Sequence, residues 1–268
     1  MAFYASTPRL VHLGEEKSLA RCPAEGVKNL RLEFYGALTL SDTPTSIGAR
    51  ARAVSELGME TAILKIDPRA VKPEAIREIV RVLADNGVIV YPTDTFYGMG
   101  ANCFSEKALH NIFELKKRPT ARGLPVLISD LEMAGRLAAD LPPVFFALAS
   151  RFWPGPLTLV LNAALNLPEE LVGPGRTIGV RLPAVAWLRV LIRETGVALV
   201  TTSANISGER EIDSAEEVLR VFDGKVDLIV NGGRTSAGKP STVIDLTRDK
   251  PILVREGVLD KKDLDKYF

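Results

Sequence analysis

The chain has 268 residues, 46% of them hydrophobic, which is enough to bury one large core with a small appendage. Lysine and arginine total 34 against 33 acidic residues, a net charge of +1, so a global basic footprint for nucleic acid is excluded and any anion site must be local. Cys22 and Cys103 match no metal or redox spacing, no apolar run approaches the ~18 residues of a membrane span, and the N-terminus lacks the apolar stretch of a secretory signal. The expectation is a soluble cytoplasmic enzyme with reduced thiols.

Residues 1–58 show no sustained period and carry turn signals such as SDTPTSIGAR, so they read as an N-terminal extension of a domain over 59–268. TAILKI (61–66) and GVIVY (87–91) predict strands around a helix from Pro73 to Asn86. Ser105, with Glu106 in the first turn, predicts the N-cap of a helix running to Lys116 or Lys117. LPVLI, LTLVL, TIGVRL and VALVTT are further strands, with a helix from Val185 to Glu194 between the last two. SAEEVLRVF opens on a capping box, Ser214 to Glu217, and predicts another helix. VDLIV, STVIDL and PILV complete the strands, and a short charged helix ends the chain. This alternation predicts an α/β fold, an open twisted mixed sheet flanked by helices.

The usual catalytic sets find little to build on. With only His12 and His110, a histidine triad or zinc site is not expected, and His110, mid-helix, reads as structural. GMGANC lacks the third glycine of a dinucleotide fingerprint, and GRTSAGKPS has Pro240 where a phosphate loop needs Ser or Thr. What remains is polar residues beside strands. YPTDTFYG carries Thr93, Asp94 and Thr95, and TTSANISG carries Ser203 and Asn205; each alone reads as an ordinary turn. In open α/β sheets, however, ligands sit at the carboxyl ends of strands. Arg181 interrupts an apolar strand, where a charge is either paired or awaits a ligand, and Arg255 ends another. ELKKRPTARG sets Lys116, Lys117, Arg118 and Arg122 before an apolar strand. A helix C-terminus accounts for one or two cations at ~0.3–1 kcal/mol each; a polyphosphate accounts for the cluster.

YPTDTFYGMGANC, ELKKRP, FWPGPLTLVL, TIGVRLP, TTSANISG and STVIDL, in this order, resemble the YrdC-like family of threonylcarbamoyl-AMP synthases over about residues 61–258. The resemblance implies a concave, basic α/β face on which threonine, bicarbonate or CO2 and ATP give threonylcarbamoyl-AMP and pyrophosphate. Mg2+ would be carried by the ATP phosphates, with no metal ligands from the protein. It implies that Lys116 and Arg118 match the family's Lys-x-Arg motif and Ser203 and Asn205 its Ser-x-Asn motif, the four making up the catalytic set. Thr95, Arg181, Ser203 and Ser241 fall where the family holds threonine. Lys116, Arg118, Arg122, Thr177, Asn205 and Arg255 fall where it holds the nucleotide. The family commonly has Lys-Pro-Leu where this chain has Arg122-Gly123-Leu124, and a histidine where Leu127 reads as core.

The product would pass to a transferase complex that modifies tRNA, with weak tRNA binding and no membrane among the implied partners. Longer members carry a further C-terminal domain, which a chain ending at Phe268 is expected to lack. The 120–123 stretch is the candidate lid over a water-sensitive carbamate. Lys116 and Arg118 are expected to act on the ligand, so that alanine at either shifts stability by under about 1 kcal/mol, and Lys117 to face solvent. The alternative is a non-catalytic RNA- or tRNA-binding module of the same fold. A carbamoyl-transfer domain of hydrogenase maturation proteins is the other rival, and its companion zinc-finger cysteines are not in this sequence.

Overall fold

The structure is a computed structural model that describes residues 60–117, 123–235 and 238–268. Two mixed sheets carry the fold. The first has five strands in the order β1 (Ala62–Lys65), β9 (Leu228–Asn231), β2 (Ile89–Pro92), β3 (Tyr97–Gly100) and β8 (Thr202–Ser203). The second has six, in the order β11 (Ile252–Arg255), β10 (Thr242–Asp245), β5 (Leu157–Asn162), β6 (Thr177–Arg181), β4 (Val126–Leu127) and β7 (Leu199–Val200). The chain passes from the second sheet to the first within Leu199–Ser203, so the predicted VALVTT strand divides between them.

Helices α1 (Pro73–Ala84), α2 (Glu106–Lys116), α3 (Leu131–Leu137), α4 (Pro143–Phe152), α5 (Ala186–Thr195), α6 (Ala215–Phe222) and α7 (Lys261–Leu264) flank the sheets. α1 starts on Pro73, whose missing N–H costs nothing there, and buries Ile76, Ile79 and Leu83, one stripe at helical spacing. Ser105 caps α2 by accepting from the Ala108 amide at 3.2 Å, as its position predicts, and donates to Asn86 Oδ1 at 2.8 Å. Lys117 closes α2 in a left-handed conformation, φ 50°, and is exposed. His110 faces solvent rather than the core. Ser214 precedes α6 but accepts no capping bond; Glu217 pairs with Arg210 instead. α3 and α4 go beyond the sequence expectation. Pro143–Phe152 is apolar nearly throughout, which blurs its period.

YGMG is a buried strand, β3, and not the far side of a polar turn. Its glycines make that possible. A Cβ on Gly100 would lie 2.3 Å from the Val200 carbonyl oxygen, so only glycine lets β3 approach the crossover this closely. In the second sheet the register aligns Ile244, Leu159, Val180, Val126 and Val200 across five strands, and each is 0% exposed. Leu127 lies beside that row and is core, as expected.

Candidate active site

Strand alternation shapes the site. Odd residues of β5 and even residues of β6 and β10 form the apolar face, so their alternates must point the other way. Those alternates, Thr158 and Val160 of β5, Thr177, Gly179 and Arg181 of β6, and Val243 of β10, line a cavity of about 400 Å³. The cavity therefore lies on a sheet face, not in the strand-end crevice that the α/β rule predicts. The β2–β3 turn (Thr93, Thr95) and β8 (Thr202, Ser203) of the first sheet also line it.

The PTDT turn is held by its own hydroxyls. Thr93 Oγ1 donates to the Phe96 carbonyl at 2.7 Å, accepts from the Thr95 amide at 3.0 Å and lies 3.0 Å from Thr95 Oγ1. This leaves Asp94 to accept from Arg181 Nη2 at 2.5 Å. Arg181 Nε donates to the Gly155 carbonyl at 3.0 Å. The buried guanidinium is thus paired, as its place in a strand requires, and no described group accepts from its Nη1. Arg255 donates from Nε and Nη2 to the Ser241 carbonyl and from Nη2 to Ser241 Oγ at 2.9 Å. Ser241 Oγ also sits 3.0 Å from Thr158 Oγ1. Burial holds the Arg255 guanidinium below its usual pKa; Glu211 opposes that shift and the Arg181 charge adds to it.

Lys116 lies where the sequence reading did not expect it. It is 3% exposed, and its ammonium donates to the Ser203 carbonyl at 2.5 Å, the Asn205 carbonyl at 2.8 Å and Asn205 Oδ1 at 3.1 Å. Its own carbonyl accepts from the Ser207 amide. Ser203 Oγ donates to Asn205 Oδ1 at 2.6 Å, and Asn205 Nδ2 to the Glu209 carbonyl at 2.6 Å. Lys116 thus staples the end of α2 to the Ser203–Ser207 loop. A buried ammonium with three acceptors is structural as well as electrostatic, so the small stability effect expected of its removal does not follow.

Thr95, Thr177, Arg181, Ser203, Ser241 and Arg255 line one cavity; Lys116 and Asn205 stand behind Ser203. Arg118, Arg122 and most of the candidate lid fall outside the described residues. Its last residue, Gly123, has φ +55°, which proline cannot adopt, so the Gly-for-Pro departure changes the backbone here. Asp94, Thr158 and Glu211 are among the polar residues of the site that the sequence reading did not assign to it. Alternation in LTLVL was the available signal for Thr158; nothing local marked Glu211.

Residues 81–257 match the model of the Sua5/YciO/YrdC family, whose description reads "Telomere recombination". The chain belongs to this family. It is 38% identical over 208 residues to the threonylcarbamoyl-AMP synthase of Pyrococcus abyssi, covering 78% of this chain and 61% of that protein. It is 36% identical over 191 residues to the synthase of the same name from Bacillus subtilis, covering 71% and 55%. The chain therefore spans less than two thirds of the length of either relative. The solved structure of the P. abyssi Sua5 protein complexed with L-threonine superposes with a TM-score of 0.74 at 38% identity, covering 77% of this chain and 61% of that one. Among the described residues no helix is long and apolar enough to cross a membrane.

Proposed function

We propose that this chain is an L-threonylcarbamoyladenylate synthase, condensing L-threonine, bicarbonate or CO2, and ATP to threonylcarbamoyl-AMP and pyrophosphate in the cytoplasm. The observation that carries the reading is the cavity itself, into which the six-stranded sheet brings two guanidiniums, Arg181 and Arg255, with the hydroxyls of Thr158 and Ser241, and the five-stranded sheet brings those of Thr95 and Ser203. Such a set suits a small acid and a polyphosphate together. Relatives named for this reaction, and one solved with L-threonine, support it.

The chemistry asks for placement and charge stabilisation rather than a covalent nucleophile. Threonine's amine attacks CO2 to give a carbamate; a carbamate oxygen attacks the α-phosphorus, and pyrophosphate leaves. In this reading Arg181, oriented by Asp94 and Gly155, offers Nη1 to the amino acid carboxylate. The Thr95, Ser203 and Ser241 hydroxyls lie in the same cavity, each already held by a protein partner and each with a lone pair to spare, and favour a hydroxyl-bearing side chain over its isostere valine, which can add no such bond. Thr177 and Arg255 take the nucleotide, with Arg118 and Arg122 adding charge at the phosphates. Lys116 and Asn205 hold the Ser203 loop in register and place a positive charge behind it. Mg2+ would arrive on the ATP phosphates. A tRNA-modifying transferase would consume the product, with weak tRNA contact at most.

Pyrophosphate release from ATP, with threonine and bicarbonate omitted in turn, tests the proposal. Release that requires both is expected. Release indifferent to threonine, or salt-dependent tRNA retention with no ATP turnover, overturns it in favour of a binding module.

A further inference from the structure

One carboxylate stands in this cationic cavity without an assigned task. Glu211 lines it and has no hydrogen-bond or ion-pair partner among the described residues. Its backbone is fixed nonetheless. The preceding loop is held through Asn205 Nδ2 to the Glu209 carbonyl, and the next residue, Ile212, accepts from the Tyr97 amide of β3 at 2.9 Å. The groups that face it from neighbouring elements are Arg255 of β11 and Lys116 of α2, with Tyr97 of β3 and Arg181 of β6 across the same cavity. Arg255 in turn feels the charges of both Glu211 and Arg181, so all three belong to one electrostatic neighbourhood.

Resting on the synthase reading, the chemistry leaves one role unfilled. An amino acid arrives as an ammonium, which has no lone pair to attack CO2. Of the described cavity-lining residues, only Tyr97, Arg181, Glu211 and Arg255 titrate at all. A guanidinium is a donor with no acceptor, and the Tyr97 hydroxyl donates to the Gly233 carbonyl with its pKa raised by burial to about 12. We infer that Glu211 is the catalytic residue that pairs with the α-ammonium of the bound amino acid and accepts its proton. R–NH3+ and the Glu211 carboxylate become R–NH2 and the neutral acid. The freed nitrogen lone pair forms the C–N bond to CO2 as a C=O π pair moves onto oxygen, and the second N–H proton leaves to water to give the carbamate. Glu211 then returns its proton to solvent. Burial, the largest influence on it, raises its pKa and so makes it a better acceptor than an exposed glutamate, although Arg255 and Lys116 pull the other way.

The test compares wild type, Glu211→Gln and Glu211→Asp for pyrophosphate release across pH, and measures L-threonine and ATP binding to each by calorimetry. Glu211→Gln is expected to lower kcat/KM for threonine by about 10²–10³-fold, to weaken threonine binding at least about tenfold with the loss of a charge-assisted bond, and to leave ATP binding unchanged. Wild-type activity falls at acid pH as Glu211 protonates; that limb is absent in Glu211→Gln and retained in Glu211→Asp. Wild-type threonine affinity and the same acid limb in Glu211→Gln overturn the assignment. So does a defect confined to ATP binding, which would make Glu211 a counter-charge to Arg255. Threonine binding that needs Glu211 in a wild type releasing no pyrophosphate keeps the ammonium contact and removes the synthase reading. No threonine binding by wild type removes both.

Discussion

The two faces of the six-stranded sheet are built from the same strands and do opposite work. On one face Leu157, Leu159, Leu161, Ile178, Val180 and Ile244 are at most 1% exposed and pack into the core. On the other, one residue along in each strand, stand Thr158, Thr177, Gly179 and Arg181. A shift of one residue in β5 would exchange leucines for threonine and valine across the sheet. The apolar row therefore fixes register, and register is what aims the polar row. Burial on one side gives the precision with which hydroxyls and guanidiniums converge on the other.

The comparison predicts that damage to the apolar face is paid in stability and damage to the cavity face in turnover. Leu159→Ala should be the costliest, at about 3–5 kcal/mol of unfolding free energy by denaturant titration, because Ile244 and Val180 flank it in a row with no room to collapse. Turnover per folded molecule should stay near wild type. Arg181→Ala should reduce kcat/KM for threonine by about 10²–10³-fold while ATP binding holds. Asp94→Asn should raise the threonine KM about tenfold with a smaller change in kcat, as expected of a group that orients Arg181 by a charge-assisted bond.

Lys116 and Lys117 sharpen the contrast because they are neighbours with different environments. Lys116→Ala should cost about 2–3 kcal/mol in stability, since it strips a buried charge from three acceptors, and should lose activity with it. Lys117→Ala should stay within about 0.5 kcal/mol. Equal effects at the two would reduce the staple to a helix-end charge effect. The smallest effect on stability is expected at Glu211, whatever its effect on turnover. Its folded pKa is raised, so the folded state favours the neutral acid, and charging it costs stability as pH rises through that value. Glu211→Gln should therefore raise the thermal midpoint slightly at neutral pH, with the gain fading at acid pH. A midpoint lowered at neutral pH would show that the carboxylate is a structural partner instead.

Much of this was legible in the sequence, for physical reasons that differ by residue. Strands β2, β5, β6, β9 and β10 stood out as apolar runs because buried strands need them, and Ser105 marked the start of α2 because an orphan amide needs an acceptor. Arg181 and Arg255 were visible as charges inside or ending apolar strands, whereas Thr95 and Ser203 read alone as turn residues and were marked only by the family motifs around them. The burial of Lys116 was not, because its three acceptors come from a loop nearly 90 positions away in sequence, as the separations of 87 and 89 record. Glu211 escaped for the same reason: only tertiary packing carries it into the cavity opposite Arg255. The splitting of VALVTT between two sheets depends on Gly100 allowing the close approach to Val200, which no single-strand pattern encodes.

The central claim is that one cavity face joins three small reactants. Following label from carbon-labelled bicarbonate tests it directly, in reactions with ATP and L-threonine and with each withheld. The account predicts label in a product that also contains threonine and AMP, formed by wild type only when all three are present and lost in Arg181→Ala. Label that enters without threonine, or an Arg181→Ala protein as active as wild type, would contradict it.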